Sequence, residues 1–184
     1  MTSERKLNLG CGTDVKKGWI NLDSSALPGV DVVHDIGTLP LPFSDGQFDE
    51  ILCRDILEHL DYAPVLRDLW RITASGGSLT IRVPHFTSKH NFIDPTHKKL
   101  FSVNTFDFFV KNSVLKKERA YYFDFAFEKI ASRQITFERS SRLYAYNRIV
   151  EAIVNRSLRS QEIYESTGFS RFFPGYNIEI ILVK

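Results

Sequence analysis

The hydrophobic positions in the first 84 residues fall into short continuous runs that are separated by polar connections. Each run has about 4 to 6 residues, which is typical of strands that are buried on both faces of a sheet. The pattern predicts five strands, at residues 6–9, 19–23, 30–34, 48–53 and 78–83.

One segment in this half has a helical period instead. Within YAPVLRDLWRI the apolar residues Val65, Leu66, Leu69 and Ile72 recur every three to four positions. The following Ser-Gly-Gly at 75–77 is expected to end this helix. A strand, a helix and a strand at this spacing form a βαβ unit, so we predict an α/β fold with a mostly parallel sheet.

The second half has a different character. Residues 85–127 are rich in aromatic and basic side chains, and we expect a short helix at 103–109, a strand at 135–137 and a helix at 143–154. The tail YNIEIILVK alternates and then becomes fully apolar, which predicts a last strand. With no linker or repeat, the chain is expected to be one domain over residues 1–184.

Composition narrows the class of protein. A formal net charge of +2 is too small for binding nucleic acid or membranes by bulk electrostatics. The two cysteines, Cys11 and Cys53, exclude a disulfide framework and a four-cysteine zinc site. No signal-peptide pattern and no run of about 18 apolar residues occurs, so we expect a cytoplasmic protein with no membrane segment.

Two glycines follow the first predicted strand, in the stretch LNLGCGTD. Gly10 and Gly12 would let a ligand approach the main chain, whose amides can hold a polar group. Asp23 ends the second strand and Asp35 follows the third. Each aspartate alone is also compatible with a simple turn or cap. Together they are expected to line one crevice with the glycines, where Asp23 can accept ribose hydroxyls and Asp35 the adenine amino group.

Four segments in order, LNLGCG, NLD, VVHDIGTLPLPFSDGQFDEILCRDILEHL and LRDLWRITASGGSLTIRVP, resemble the class I S-adenosylmethionine-dependent methyltransferases, specifically their type 11 subgroup. The resemblance implies a Rossmann-like, mostly parallel sheet with an antiparallel last strand, and S-adenosylmethionine as cofactor. It also implies a cofactor-binding half at 1–84 and a substrate-side half at 85–184. Only 9 residues separate Leu9 from Trp19, fewer than a parallel crossover usually takes. We therefore predict a shortened first helix.

The same resemblance assigns cofactor-binding residues. It implies that the loop holds the amino-acid part of the cofactor, that Asp23 holds the ribose, and that two residues after the third strand meet the adenine. Residues 53–59 match the segment that contacts the methionine portion. The implied set is Leu9, Gly10, Cys11, Gly12, Asp23, Asp35, Ile36, Arg54, Asp55 and His59.

The residues after the fifth predicted strand are candidates for activating the methyl acceptor. His97 is the preferred general base because an imidazole titrates near neutrality, and Asp94 could orient it or act itself. His85 is a further catalytic candidate. Asp94-Pro95-Thr96 also fits a plain turn. We expect no metal site, because the spacing of His85, His90 and His97 matches no standard zinc pattern.

Three functions stay open. The first is methyl transfer to a small molecule, and the resemblance of the later PHFTSKHNFIDPTHKKLFSVNTF to enzymes associated with glycan modification points to a sugar or glycan-pathway metabolite. The second is a non-catalytic module that binds S-adenosylmethionine or S-adenosylhomocysteine. The third is an NAD-dependent oxidoreductase, against which the missing third glycine and the missing Tyr-x-x-x-Lys pair argue. No basic stripe suggests nucleic acid.

Overall fold

Seven strands form a single sheet in the computed structural model, which describes residues 5–184. Residues 1–4 of the predicted domain lie outside the described residues. The strands are β1 (Lys6–Leu9), β2 (Ile20–Asp23), β3 (Val32–Val33), β4 (Phe48–Arg54), β5 (Thr73–Pro84), β6 (Lys129–Phe137) and β7 (Gly175–Val183). Their spatial order is β3-β2-β1-β4-β5-β7-β6. The first five are parallel and β7 is antiparallel to both neighbours, which confirms the predicted α/β fold.

The connection from β1 to β2 contains no helix at all. Residues 10–19 form turns, so the predicted shortening of the first helix is complete. Two buried asparagines support the loop instead. The Asn8 side chain donates to the Asp14 carbonyl at 2.8 Å and to Asn21 Oδ1 at 3.1 Å, and Asn21 Oδ1 also accepts from the Lys16 amide at 2.8 Å. Side-chain hydrogen bonds thus satisfy backbone groups that a helix would otherwise pair.

Helix α1 (Tyr62–Ile72) has the predicted bounds and buries the predicted apolar stripe. Its end differs from the prediction, because strand β5 already begins at Thr73 and contains the glycine pair. The Thr73 hydroxyl donates to the Leu69 carbonyl at 2.6 Å. The chain therefore leaves the helix through an extended Thr73 rather than through a glycine cap.

The second half adds small helices and the two last strands. The helices are α2 (His90–Ile93), α3 (Val114–Glu118), α4 (Asn147–Val154), α5 (Leu158–Ser166) and α6 (Phe169–Phe172). The predicted helix at 103–109 is a 3-10 helix at Thr105–Phe109, and the predicted helix at 143–154 is a 3-10 turn, Arg142–Tyr144, followed by α4. Strand β6 is longer than the predicted 135–137, and α5 was not predicted.

The aromatic side chains of this half mainly fill the core. Phe101, Phe106, Phe109, Phe125 and Phe127 are buried against the sheet and α1. These side chains pack residues 101–127 against the first half of the chain, and they do not form a lid over a pocket. None of the helices within residues 5–184 has the length and apolar character needed to cross a membrane.

Candidate active site

The glycine loop lies at the carboxyl end of β1. Gly10 and Gly12 have φ angles of +64° and +49°, in the left-handed region that favours glycine. A Cβ on Gly10 would lie 2.2 Å from Ile56 Cδ1, so the loop packs closely on the segment after β4. A Cβ on Gly12 would meet no atom within 4 Å. The space beside Gly12 is therefore open to a ligand.

Asp23, at the end of β2, holds this loop in place. Its Oδ2 accepts a hydrogen bond from the Gly12 amide at 2.8 Å, and its Oδ1 accepts one from the Ser25 amide at 2.9 Å. The Cys11 amide in turn donates to the Leu22 carbonyl at 3.0 Å. Each carboxylate oxygen of Asp23 keeps a further lone pair, so the half-buried side chain can also accept from a ligand hydroxyl.

The two residues predicted to meet the adenine are placed differently. Ile36 is buried, with its Cδ1 3.6 Å from where a Gly10 Cβ would be. Asp35 is exposed, and its Oδ1 accepts from the Gly37 amide at 2.9 Å. Leu9, Gly10, Cys11, Gly12, Asp23 and Ile36 thus form one group, and Asp35 lies at its rim.

The segment after β4 adds charged groups beside the loop. Asp55 has a positive φ of 56°, and its carboxylate forms a bidentate ion pair with Arg82 of β5, with Nε 3.0 Å from Oδ1. Its amide donates to the Arg82 carbonyl at 2.9 Å. The Arg54 Nε is buried and has no hydrogen-bond partner within residues 5–184. This Nε is therefore a donor that the described residues leave without an acceptor.

A polar cleft of about 560 Å³ lies at the carboxyl ends of β4 and β5. Its lining residue Asp55 directly precedes Ile56, which packs on Gly10 of the glycine loop. Most of its other walls are charged or imidazole side chains. The lining residues are Asp55, Glu58, His59, Arg82, Pro84, His90, Asp94, His97, Tyr176 and Asn177.

Glu58 is a buried acidic residue of this cleft that the sequence did not indicate as a site residue. Its side chain is fully buried in the 3-10 turn Leu57–His59, and neither carboxylate oxygen has a hydrogen-bond partner among residues 5–184. Burial raises the pKa of Glu58 to about 7. The only signal in the sequence was its position directly before His59.

His59 and His97 meet in the cleft with their ring centroids 4.7 Å apart and their planes 75° apart. His59 Nδ1 lies 2.8 Å from Thr96 Oγ1, which donates to Asp94 Oδ1 at 2.6 Å. Asp94 Oδ2 is 3.8 Å from His97 Nε2. Burial, followed by the neighbouring His59, lowers the pKa of His97, so its ring is neutral at pH 7. The structure therefore brings His59, Asp94 and His97 together.

Asp94 also makes the turn that the sequence allowed. Its Oδ1 accepts from the Thr96 amide at 2.8 Å as well as from the Thr96 hydroxyl, and these two bonds lower the pKa of Asp94. The turn follows α2, and no helix begins at Pro95. Structural and site roles of Asp94 are thus compatible.

His85 lies outside the cleft. Its side chain is fully buried, with Nε2 3.0 Å from Glu165 Oε1 of α5 and Nδ1 2.7 Å from Thr87 Oγ1. The same Glu165 oxygen accepts from the Val103 amide at 2.7 Å. Both ring nitrogens are occupied in joining the end of β5 to α5, and the ring has no access to the cleft.

Comparison with known proteins connects this geometry to one family. Residues 5–81 match a family model described as a methyltransferase domain. An uncharacterized protein of Methanocaldococcus jannaschii is 33% identical over 85 residues, which cover 41% of this chain and 38% of that protein. The chain therefore spans well under half of the length of this curated relative.

Solved structures extend the likeness in fold over the whole chain. An S-adenosylmethionine-dependent methyltransferase from Archaeoglobus fulgidus is 19% identical, with a TM-score of 0.59 over 98% of this chain and 86% of that chain. A Haloferax volcanii protein in complex with the Trm112 methyltransferase activator is 14% identical, with a TM-score of 0.57 over 98% and 82%.

The family match and the fold agree with the sequence prediction. The strand order and the antiparallel β7 are the fold expected for class I S-adenosylmethionine-dependent methyltransferases. Residues 5–81 thus match a methyltransferase domain, within a chain that has the fold of solved S-adenosylmethionine-dependent methyltransferases.

Proposed function

We propose that this chain transfers the methyl group of S-adenosylmethionine to a small polar molecule, with a sugar or glycan-pathway metabolite as the first candidate. The observation that carries the proposal is the position of the polar cleft at the carboxyl ends of β4 and β5, where its lining residue Asp55 directly precedes Ile56, the residue that packs on Gly10. A cofactor seated on the loop would therefore point its reactive end into a cleft that can hold an acceptor. The two free, buried cysteines agree with a location in the cytoplasm.

The cofactor-binding roles follow the predicted assignment. Backbone groups of residues 9–12 hold the amino-acid part in the open space beside Gly12, and Asp23 accepts from the ribose hydroxyls. Ile36 packs on the adenine ring, while Asp35 lies at the rim where the amino group of adenine would emerge. The unpartnered Nε of Arg54 pairs with the cofactor carboxylate.

The bound cofactor supplies an electrophilic methyl group on its sulfonium. The protein contributes mainly alignment, because an in-line displacement needs the acceptor atom held opposite the leaving sulfur. Asp55, His59, Asp94 and His97 face the space that an acceptor would occupy. His97 and Asp94 activate the acceptor, as predicted. His59 was predicted to bind the cofactor, and here it is assigned to the acceptor instead. A cleft with this lining favours an acceptor rich in hydroxyl groups.

Titration calorimetry with S-adenosylhomocysteine tests the cofactor. We expect one site per chain and no heat from NAD, and the opposite pattern would refute the proposal. Transfer of a labelled methyl group to a panel of monosaccharides and nucleotide sugars then tests the reaction. Binding without transfer to any acceptor would favour the non-catalytic module.

The His97→Ala variant tests the acceptor side separately. We expect turnover to fall at least tenfold while affinity for S-adenosylhomocysteine stays nearly unchanged, because the imidazole faces the cleft and not the glycine loop. Loss of the folded state, measured by circular dichroism, would instead assign His97 to packing.

A further inference from the structure

We propose that Glu58, His59 and His97 bind one divalent transition-metal ion of the zinc type in the cleft. Each side chain offers one ligand atom, and these three atoms all lie within 4.8 Å of one another. Two imidazoles and one carboxylate form a ligand set that zinc takes in catalytic sites, where a further coordination position stays open. The proposal concerns a site that the histidine spacing in the sequence did not predict.

The state of Glu58 is the strongest argument. Its side chain is fully buried, and both carboxylate oxygens lack a hydrogen-bond partner among residues 5–184. A buried carboxylate without donors is costly in free energy unless it binds a proton or a cation. A divalent cation between the carboxylate and the imidazoles would remove this cost.

The hydrogen bonds around His59 set the ring nitrogen that can bind a metal. The Thr96 hydroxyl donates its only hydrogen to Asp94 Oδ1, so it must accept from His59 Nδ1. The proton of His59 is therefore on Nδ1, and Nε2 carries the free lone pair. A carboxylate that orients a ligating histidine through such a chain is a common feature of metal sites.

His97 is suited to the same role. Its side chain is 8% exposed, and its Nδ1 is buried without a hydrogen-bond partner within the described part of the chain. An imidazole nitrogen without a partner can offer its lone pair to a cation. Packing alone explains neither the unpartnered nitrogen of His97 nor the unpartnered carboxylate of Glu58, because a buried polar group is normally hydrogen-bonded.

Backbone hydrogen bonds hold the two parts of the site together without an ion. The amides of Lys98 and Lys99 donate to the Glu58 carbonyl at 2.7 Å and 3.2 Å. The loop that carries His97 is thus attached to the turn that carries Glu58 and His59. Two zinc ligands with bonds of about 2.1 Å lie roughly 3.4 Å apart in a tetrahedral site, so the side chains would close by about an ångström.

The role of the ion rests on the proposed function. Its open position would face the cleft and take an oxygen of the methyl acceptor, and a bound cation lowers the pKa of a hydroxyl that it ligates. His97 would then activate the acceptor through the metal, which replaces its predicted role as a general base. The acceptor class that fits is a molecule with a hydroxyl group that can bind the ion.

Metal titration of the full chain tests the site without reference to activity. The chain is treated with a chelator, and Co²⁺ is added as a probe whose visible absorption reports a site with nitrogen and oxygen ligands. Zn²⁺ is measured by calorimetry. We expect one ion per chain in both experiments, with affinity at least tenfold weaker in the Glu58→Gln and His97→Ala variants. His34→Ala is the matched control, because His34 lies after β3 with its Nε2 2.8 Å from the Thr38 carbonyl.

Glu58→Gln keeps the shape of the side chain and removes its charge, so it tests the site even where His97→Ala fails to fold. Absence of stoichiometric binding, or equal affinity in Glu58→Gln and the wild type, overturns the metal site. S-adenosylhomocysteine is titrated into the same samples. Cofactor binding without metal binding refutes this inference alone, whereas metal binding without cofactor binding refutes the proposed function.

Discussion

Replacing Asp23 with alanine tests how the cofactor is held, because this carboxylate contacts the glycine loop and is proposed to contact the ribose. The variant loses two hydrogen bonds, to the Gly12 and Ser25 amides. At about 1 kcal/mol each for a half-buried side chain, the free energy of unfolding should fall by about 2 kcal/mol. That corresponds to a melting temperature roughly 4–8 °C lower for a chain of this size. The protein should stay folded at 25 °C.

The effect on the cofactor should be larger. Two ribose hydroxyls that donate to a carboxylate contribute about 1.5 kcal/mol each, so the affinity for S-adenosylhomocysteine should fall by about a hundredfold. Calorimetry on the wild type and on Asp23→Ala measures this change. Asp14→Ala is the control, because Asp14 lies in the same loop but its side chain is 69% exposed and, among residues 5–184, pairs with Lys16 alone, at 3.1 Å. Wild-type affinity in Asp23→Ala would refute the ribose assignment.

A modified ligand distinguishes two causes of weaker binding in Asp23→Ala: loss of the ribose contact, and a glycine loop that is held less firmly. An analogue of S-adenosylhomocysteine without the two ribose hydroxyls should bind the wild type about a hundredfold more weakly than the parent compound. The same change of ligand should have little effect on Asp23→Ala, because the carboxylate is already absent. Equal losses in both proteins would show that Asp23 acts only through the loop.

Two further predictions concern packing. Gly10→Ala places a Cβ 2.2 Å from Ile56 Cδ1 at a φ of +64°, so we expect a loss of about 2–3 kcal/mol in unfolding free energy and weaker cofactor binding; an unchanged melting temperature would contradict this. Asp68→Ala removes a buried carboxylate that accepts from the Leu41 amide at 2.8 Å and from Arg71 Nε at 2.6 Å. Urea denaturation should show a loss of about 3 kcal/mol with cofactor affinity unchanged, and a loss below about 1 kcal/mol would be evidence against this network.

The sheet could be predicted from the sequence where strands are buried on both faces. Strands β1 and β4 match their predicted positions closely, because no fully exposed residue interrupts their apolar pattern. Helix α1 matches because its buried residues recur with a helical period. The strands at the edges of the sheet were harder to predict from the sequence. In β3, Val33 is 56% exposed, and in β6 only Ile135 and Phe137 are buried, so most of β6 has no hydrophobic signal.

The site was predictable only where local sequence determines it. Gly10, Gly12 and Asp23 lie at strand ends, and the order of the strands alone brings them together. Glu58 was missed because its burial depends on the loop that follows α2, which no local pattern reveals. His85 was selected because it follows β5, but its ring is held by Glu165 of α5, a helix that the sequence did not predict.

Under the proposed function, the missing first helix changes which groups can neutralise the carboxylate of the cofactor. In a doubly wound fold, a helix that begins after the first strand presents its N-terminus to an anionic ligand. Here residues 10–19 have no helix, and the Gly12 amide already donates to Asp23. The proposal therefore assigns the positive charge to a side chain. Arg54, the last residue of β4, has a buried Nε with no partner in the described chain, whereas Arg82 is already paired with Asp55. We therefore expect Arg54 to take the part that a first helix would otherwise have.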